Sequence, residues 1–335
     1  MKYLHITDRA GSGITDLLEA NEIGQQGRSM VYRHCYIRPK LHHIASTVEY
    51  LQIKLAGRVV GMCANVSRTL LKEQTKGYYF RYFSFLPGFR VEELPKTKKN
   101  KNSVLKQEIN NYLAALNIGL TYAYVDLNNL RSRAICDLFN FQEAGQFSTI
   151  IFSRIFPKAA NNISKIDFME VKELLCDHYR DYNLFTIDNI KYEHADYYVL
   201  KRDGRILAGI AATKERWKIL NIPSALGKVL LKVKIPFLRR LFNTDYRFLA
   251  IEGIYARQGC ENELSNLLEG VLQVTGHNIA MMWADIKSPL YRTLKSLPLG
   301  ILSKFKSEVK ASVIVRNYEA GKPLKNIYIS GFDLT

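Results

Sequence analysis

The chain lacks paired cysteines. Its five, Cys35, Cys63, Cys136, Cys176 and Cys260, are scattered and form no CxxC motif. That spacing excludes a zinc ribbon or a dithiol redox motif, and no metal is expected. An odd, dispersed set reads as reduced thiols in a cytoplasmic protein. No apolar run approaches the ~18 residues of a membrane-spanning helix. The opening residues, MKYLHITDRAGSG, contain no apolar core of the kind a signal peptide carries, so none is expected. Acid is also scarce: 31 Asp and Glu face 48 Lys and Arg, a formal charge of +17. The excess suits anionic partners and says nothing about the fold. Apolar residues are plentiful, at 47% with 11% aromatic. The chain is therefore globular, and 335 residues suffice for two domains.

Two blocks repeat one order of elements. In the first, EYLQIKLAGRVVGMCANV (49–66) reads as a hairpin turning at Gly57, and YYFRYFSFLP (78–87) as a strand. NSVLKQEINNYLAALN (102–117) has helical spacing. A strand (120–127), a helix (130–139) and a strand (147–155) follow. In the second, DYYVLKRDGRILAGIAAT (196–213) is a hairpin turning at Asp203-Gly204. Strand (246–256), helix (262–276), strand, helix and strand follow again. The hairpins start about 150 residues apart, the size of one domain. The expected architecture is α/β (α+β): two tandem units, each a mixed, mainly antiparallel sheet flanked by helices. The units span 1–156 and 157–335, with 156–165 as linker and a helix preceding each hairpin, near 14–21 and 168–179.

One stretch gives the order a family likeness. VDLNNLRSRAICDLFNF (125–141) runs from a strand through Asn128-Asn129 into a short helix that stops at Asn140-Phe141. An Asn at a strand end caps the next helix. Stopping that helix sharply asks for a left-handed residue, Gly first and Asn next. This spacing resembles the N-N-x-x-A-x-x-x-Y-x-x-x-G-F segment of the GNAT superfamily of acyl-CoA-dependent N-acyltransferases. The resemblance implies that the strand splays from its neighbour to admit pantetheine. Asn129 and the small residue Ser132 would then border the cofactor, which is acetyl-CoA or another acyl-CoA. Cys136 stands where the family often has a Tyr acting as acid toward the departing thiolate.

The phosphate loop also departs from the family, which places glycines whose N–H groups cradle pyrophosphate at a helix start. Here the segment is LPGFRVEELPKTKKNKNS. The resemblance puts Arg90 at the first basic position. Lys98, Lys99, Lys101, Asn102 and Ser103 would replace glycine N–H groups with side-chain charge. In the second unit Glu261 and Glu263 oppose phosphate, so cofactor is expected in the first.

Acyl transfer to an amine needs a proton acceptor and an N–H donor for the thioester carbonyl. The fourth strand of the first unit carries no carboxylate; it offers Arg81, Tyr82 and Ser84, with backbone donors near Phe85 or Leu86. Glu49 is a surface alternative. The second unit has Glu252 mid-strand, where family enzymes often keep a base, and Tyr291 near the place of the acid. The expectation is an acyl-CoA-dependent N-acetyltransferase acting on a small-molecule or peptide amine, the first unit holding CoA and the second shaping the acceptor site.

A basic insertion is expected at 214–240, with eight Lys/Arg and one acid. Interleaved apolar residues suit a membrane surface, acyl carrier protein or tRNA. That makes the protein cytoplasmic with peripheral contact at the inner membrane as an option. Two other readings stay open. One is a Fem-like aminoacyl transferase, which pairs two such domains and uses tRNA. The other is a non-catalytic ligand- or membrane-binding protein on a decayed transferase scaffold.

Overall fold

The protein's structure, a computed structural model, describes residues 2–24, 29–44, 47–86, 104–116, 119–222, 238–305, 309–316 and 324–334. The first half runs β1 (Leu4–Thr7), α1 (Ser12–Ala20), β2 (Val31–His34), α2 (Ile37–Ile44), β3 (Val48–Leu55), β4 (Arg58–Leu70) and β5 (Thr75–Phe85). It continues with α3 (Val104–Ala115), β6 (Leu120–Asp126), α4 (Leu130–Leu138) and β7 (Gln142–Ser153). The second half contains β8 (Ile163–Ile166), α5 (Lys172–His178), β9 (Ala195–Arg202), β10 (Arg205–Asn221) and β11 (Asp245–Ala256). α6 (Glu263–Thr275), β12 (Ile279–Asp285), α7 (Pro289–Ser296), α8 (Leu302–Phe305) and β13 (Val309–Arg316) complete it.

The strands form one thirteen-stranded sheet in the order β1-β3-β4-β5-β6-β13-β7-β12-β11-β10-β9-β8, with β2 paired to β10. Pairing is antiparallel except for β5 with β6 and β11 with β12. The two halves exchange strands at the centre. β13, from the second half, lies between β6 and β7 of the first, and β7 pairs β12 of the second. β2 likewise crosses to β10.

Local sequence explains the hairpins. Ala56-Gly57 and Asp203-Gly204 hold consecutive positive φ angles (47° and 80°, 50° and 74°), the geometry of a tight two-residue turn that matches strand twist. Leu264, Leu267, Leu268, Val271 and Leu272 make one buried stripe on α6 at helical spacing. One face of the sheet carries α1 and α2, which pack a core shared by both halves. The other carries α3 and α4 in the first half and α6 in the second.

One expected boundary moves. Residues 214–221, read as the start of an insertion, extend β10 to Asn221. Glu215, Trp217 and Ile219 point inward, so Lys214, Arg216 and Lys218 line the outer side of a strand with period two. Residues 223–237 of that stretch lie outside the described residues. Among the described residues, no helix is long and apolar enough to cross a membrane.

Candidate active site

The repeat is visible atom by atom where two parallel strands part. β5 pairs β6 from Gly77↔Leu120 to Phe80↔Ala123 and no further; β11 pairs β12 only at Leu249↔Ala280 and Ala250↔Met281. Each gap opens beside a bulge. Ladder register slips opposite Arg81 and Ser84 in β5, and opposite Glu252 and Tyr255 in β11. The residue after each slip is left-handed: Tyr82 at φ 56° and Gly253 at φ 55°. Gly adopts that conformation freely; Tyr82 does so at a cost of order ~1 kcal/mol. Tyr82 and Phe83 have no register partner on either neighbouring strand.

Past each gap the chain turns in the same way. Asp126 accepts the Asn128 N–H at 2.7 Å, and Asp285 accepts the Lys287 N–H at 3.0 Å. Asn129 Oδ1 then caps α4 by accepting the Ser132 N–H at 3.0 Å, and Ser288 Oγ caps α7 by accepting the Tyr291 N–H at 3.1 Å. α4 stops at Asn140 with φ 61°, the left-handed stop that the sequence asks for. In this alignment Tyr291 occupies the place of Ser132, one helical turn before the place of Cys136.

The second gap is filled by the chain itself. Ile327, Tyr328 and Ile329 line it with Ile251–Ile254 of β11 and Trp283–Asp285 of β12, leaving about 10 Å³, room for one water. The Ile327 N–H donates to Asp285 at 3.0 Å. The Tyr328 hydroxyl and the Phe332 N–H donate to the two oxygens of Glu252, each at 2.9 Å. Glu252, expected as a base, is therefore a buried anchor for the tail at 324–334. Burial pushes its carboxyl up to about 7. Tyr291 is packed against the core under α6.

The same tail then enters the first half. Asp333 accepts two hydrogen bonds of 2.5 Å from Arg68 and lies 3.6 Å from Arg81. The Arg81 guanidinium sits over the rings of Tyr82 (4.0 Å) and Phe332 (5.4 Å). Lys40 of α2 pairs Glu215 of β10 at 2.5 Å, and burial brings its ammonium down to about 8. His43, one turn on, stacks edge-on against Tyr192 and Phe332, and burial lowers its pKa, so it is neutral at physiological pH. Burial also raises Tyr82, keeping its hydroxyl protonated. Sequence reading missed Lys40, His43, Arg68, Glu215 and Asp333, which meet only through the exchange between halves.

The remaining expected residues fall as follows. Phe85 and Leu86 flank the first gap, with Arg131 of α4 over the Phe85 ring at 5.6 Å. The Leu86 N–H is spent on the Val60 carbonyl at 2.9 Å, which removes it as a carbonyl donor. Glu49 accepts from Tyr112 at 2.5 Å. Cys136 is half-buried, and burial pushes its thiol up to about 11, so it is neutral. Arg90, Lys98, Lys99, Lys101, Asn102 and Ser103 lie outside the described residues.

No family model and no curated protein sequence matches this chain. Solved structures do. N-myristoyltransferase of Saccharomyces cerevisiae with bound myristoyl-CoA superposes with a TM-score of 0.62 at 11% identity, over 100% of this chain and 84% of that one. A second structure of that complex gives 0.61 at 11% identity, over 96% and 84%. A conserved protein of unknown function from Enterococcus faecalis, a probable N-acyltransferase, gives 0.50 at 10% identity over 93% and 72%. The thirteen-stranded, strand-exchanged sheet of this chain thus has the fold seen in N-myristoyltransferase.

Proposed function

We propose that the chain is an acyl-CoA-dependent N-acyltransferase with a single reaction centre, at the gap between β5 and β6. One observation carries the reading. Of two equivalent gaps, the second is closed by the chain's own tail, while the first keeps the bulge, the capped helix and buried polar atoms without partners among the described residues. The N-myristoyltransferase structures that share the fold contain myristoyl-CoA, which supports an acyl-CoA as the donor and leaves acetyl or a longer chain to experiment.

The chemistry follows from the groups in place. The acyl arm lies along Phe85, Leu86, Asn129 and Ser132. Backbone N–H groups at the Tyr82–Phe83 bulge polarise the thioester carbonyl. The amine nitrogen attacks the carbonyl carbon, and the C–S bond breaks. The neutral imidazole of His43 takes the proton lost from the amine. Tyr82 hydrogen-bonds the leaving thiolate rather than surrendering its proton, because its pKa is raised above that of an ordinary thiol. Asn129 has two tasks, capping α4 and bordering the arm.

Calorimetric titration with CoA, acetyl-CoA and myristoyl-CoA tests the reading. The expected result is saturable micromolar binding of at least one acyl-CoA, weakened in Phe85→Ala. No heat and no thermal shift with any of the three sinks it. Saturable binding of aminoacyl-tRNA instead would move the function to Fem-like transfer.

A further inference from the structure

The two halves present the same three positions side by side on one face of the sheet. In the first half, register places Tyr50 beside Ala64 and Ala64 beside Arg81. In the second, it places Tyr197 beside Ala211 and Ala211 beside Glu252. The small central alanine sets the tyrosine and the charged residue on either side of one short position, the slot. The two slots carry opposite charge and have opposite fates.

The second slot is satisfied. Tyr197 donates to the Gly253 carbonyl at 2.9 Å, and the acceptors of Glu252 receive an O–H and an N–H from the tail. The first is not. Among the described residues, Tyr50 Oη, Tyr82 Oη, Arg81 Nε and Arg81 Nη1 are buried and have no hydrogen-bond partner. Tyr50 is 0% exposed and the Arg81 side chain 2%. Every one of those atoms can donate. Asp333 does not serve them: both its oxygens are taken by Arg68, and 3.6 Å to Arg81 is beyond hydrogen-bonding reach. A buried donor left unmet destabilises the fold. Among the described residues, Lys40, Arg68 and Arg81 are buried around this point with Glu215 and Asp333, and Glu252 lies under the same tail.

We infer that the slot between Tyr50 and Arg81 binds a carboxylate, and that the acceptor of this enzyme is an amine carrying its own carboxylate. A carboxylate is acceptor-only with about four lone-pair sites, which matches a slot of donors. The inference rests on the acyl-transfer reading only in naming the bound molecule an acceptor.

The test is matched-pair binding to the intact protein. α-Amino acids, β-alanine and dipeptides are each compared with their carboxamides by thermal shift and calorimetry. At least one acid should bind, and its carboxamide should bind more weakly by about tenfold or more. Arg81→Gln should erase that preference, and Tyr50→Phe should reduce it. Equal binding of acid and carboxamide, failure of every acid to bind, or an Arg81→Gln protein that keeps the preference would each overturn the slot. If Arg81→Gln does not fold, the matched pairs on wild type decide alone. The CoA titration is read separately: carboxylate binding without CoA binding would sink acyl transfer and keep the slot, and the converse would sink the slot.

Discussion

Asp333 joins the tail to the centre of the sheet through one carboxylate and the fork of Arg68. The side chains in this pair are 0% and 2% exposed, so neither charge has water to fall back on. Removing one partner of a buried pair costs about 3–5 kcal/mol, because the other charge is left uncompensated. Asp333→Ala should therefore lower unfolding stability by that amount in urea, with Arg68→Ala about as costly. Equal stability to wild type would show that the pair contributes nothing. Nothing in the sequence couples position 68 to position 333. Arg68 reads as an ordinary charge near the end of a strand, and the tail has no periodicity. Tyr82 was legible as a hydroxyl on β5, whereas its left-handed backbone was not, because a bulge is set by the neighbouring ladder.

At the scale of elements, α4 was the most legible part of the site. Its cap, its length and its left-handed stop are all written in 125–141, within reach of local hydrogen bonds. The β10 extension was legible too, in the alternation of Glu215, Trp217 and Ile219 with Lys214, Arg216 and Lys218, although its charge suggested an insertion instead. The tail that fills the second gap had no local signature. Glu252 is buried beneath it, and that burial gives a pH signature. Glu252 binds its proton more tightly in the folded protein, with a pKa of about 7 against 4.5. The stability it contributes is complete below pH 4.5 and is lost as pH rises through about 7, a change of about 3 kcal/mol. Chemical denaturation from pH 4.5 to 8 should show this decline in wild type, and a flatter curve in Glu252→Gln, whose amide oxygen still accepts from the tail. Parallel curves for the two proteins would remove Glu252 from that role.

For the whole molecule, the order of elements was readable and the exchange of strands was not. Each half supplies the other with a central strand, so neither sheet is complete in its own residues. Residues 1–156 alone would expose the edges of β6 and β7 where β13 belongs. That fragment should fail to give a cooperative thermal transition, and supplying residues 157–335 should restore one. A sharp independent melt of 1–156 would show that β13 is dispensable to it. The full chain should melt in one step by circular dichroism and calorimetry alike.

The Arg68–Asp333 contact closes a loop of 265 residues. Contacts of that span are the slowest to form, since the chain must first order everything between them. Refolding should then proceed in two visible stages. The sheet signal recovers first, and the ability to bind a ligand returns later, at the rate at which residues 324–334 find the centre. The protein would acquire its shape before its competence.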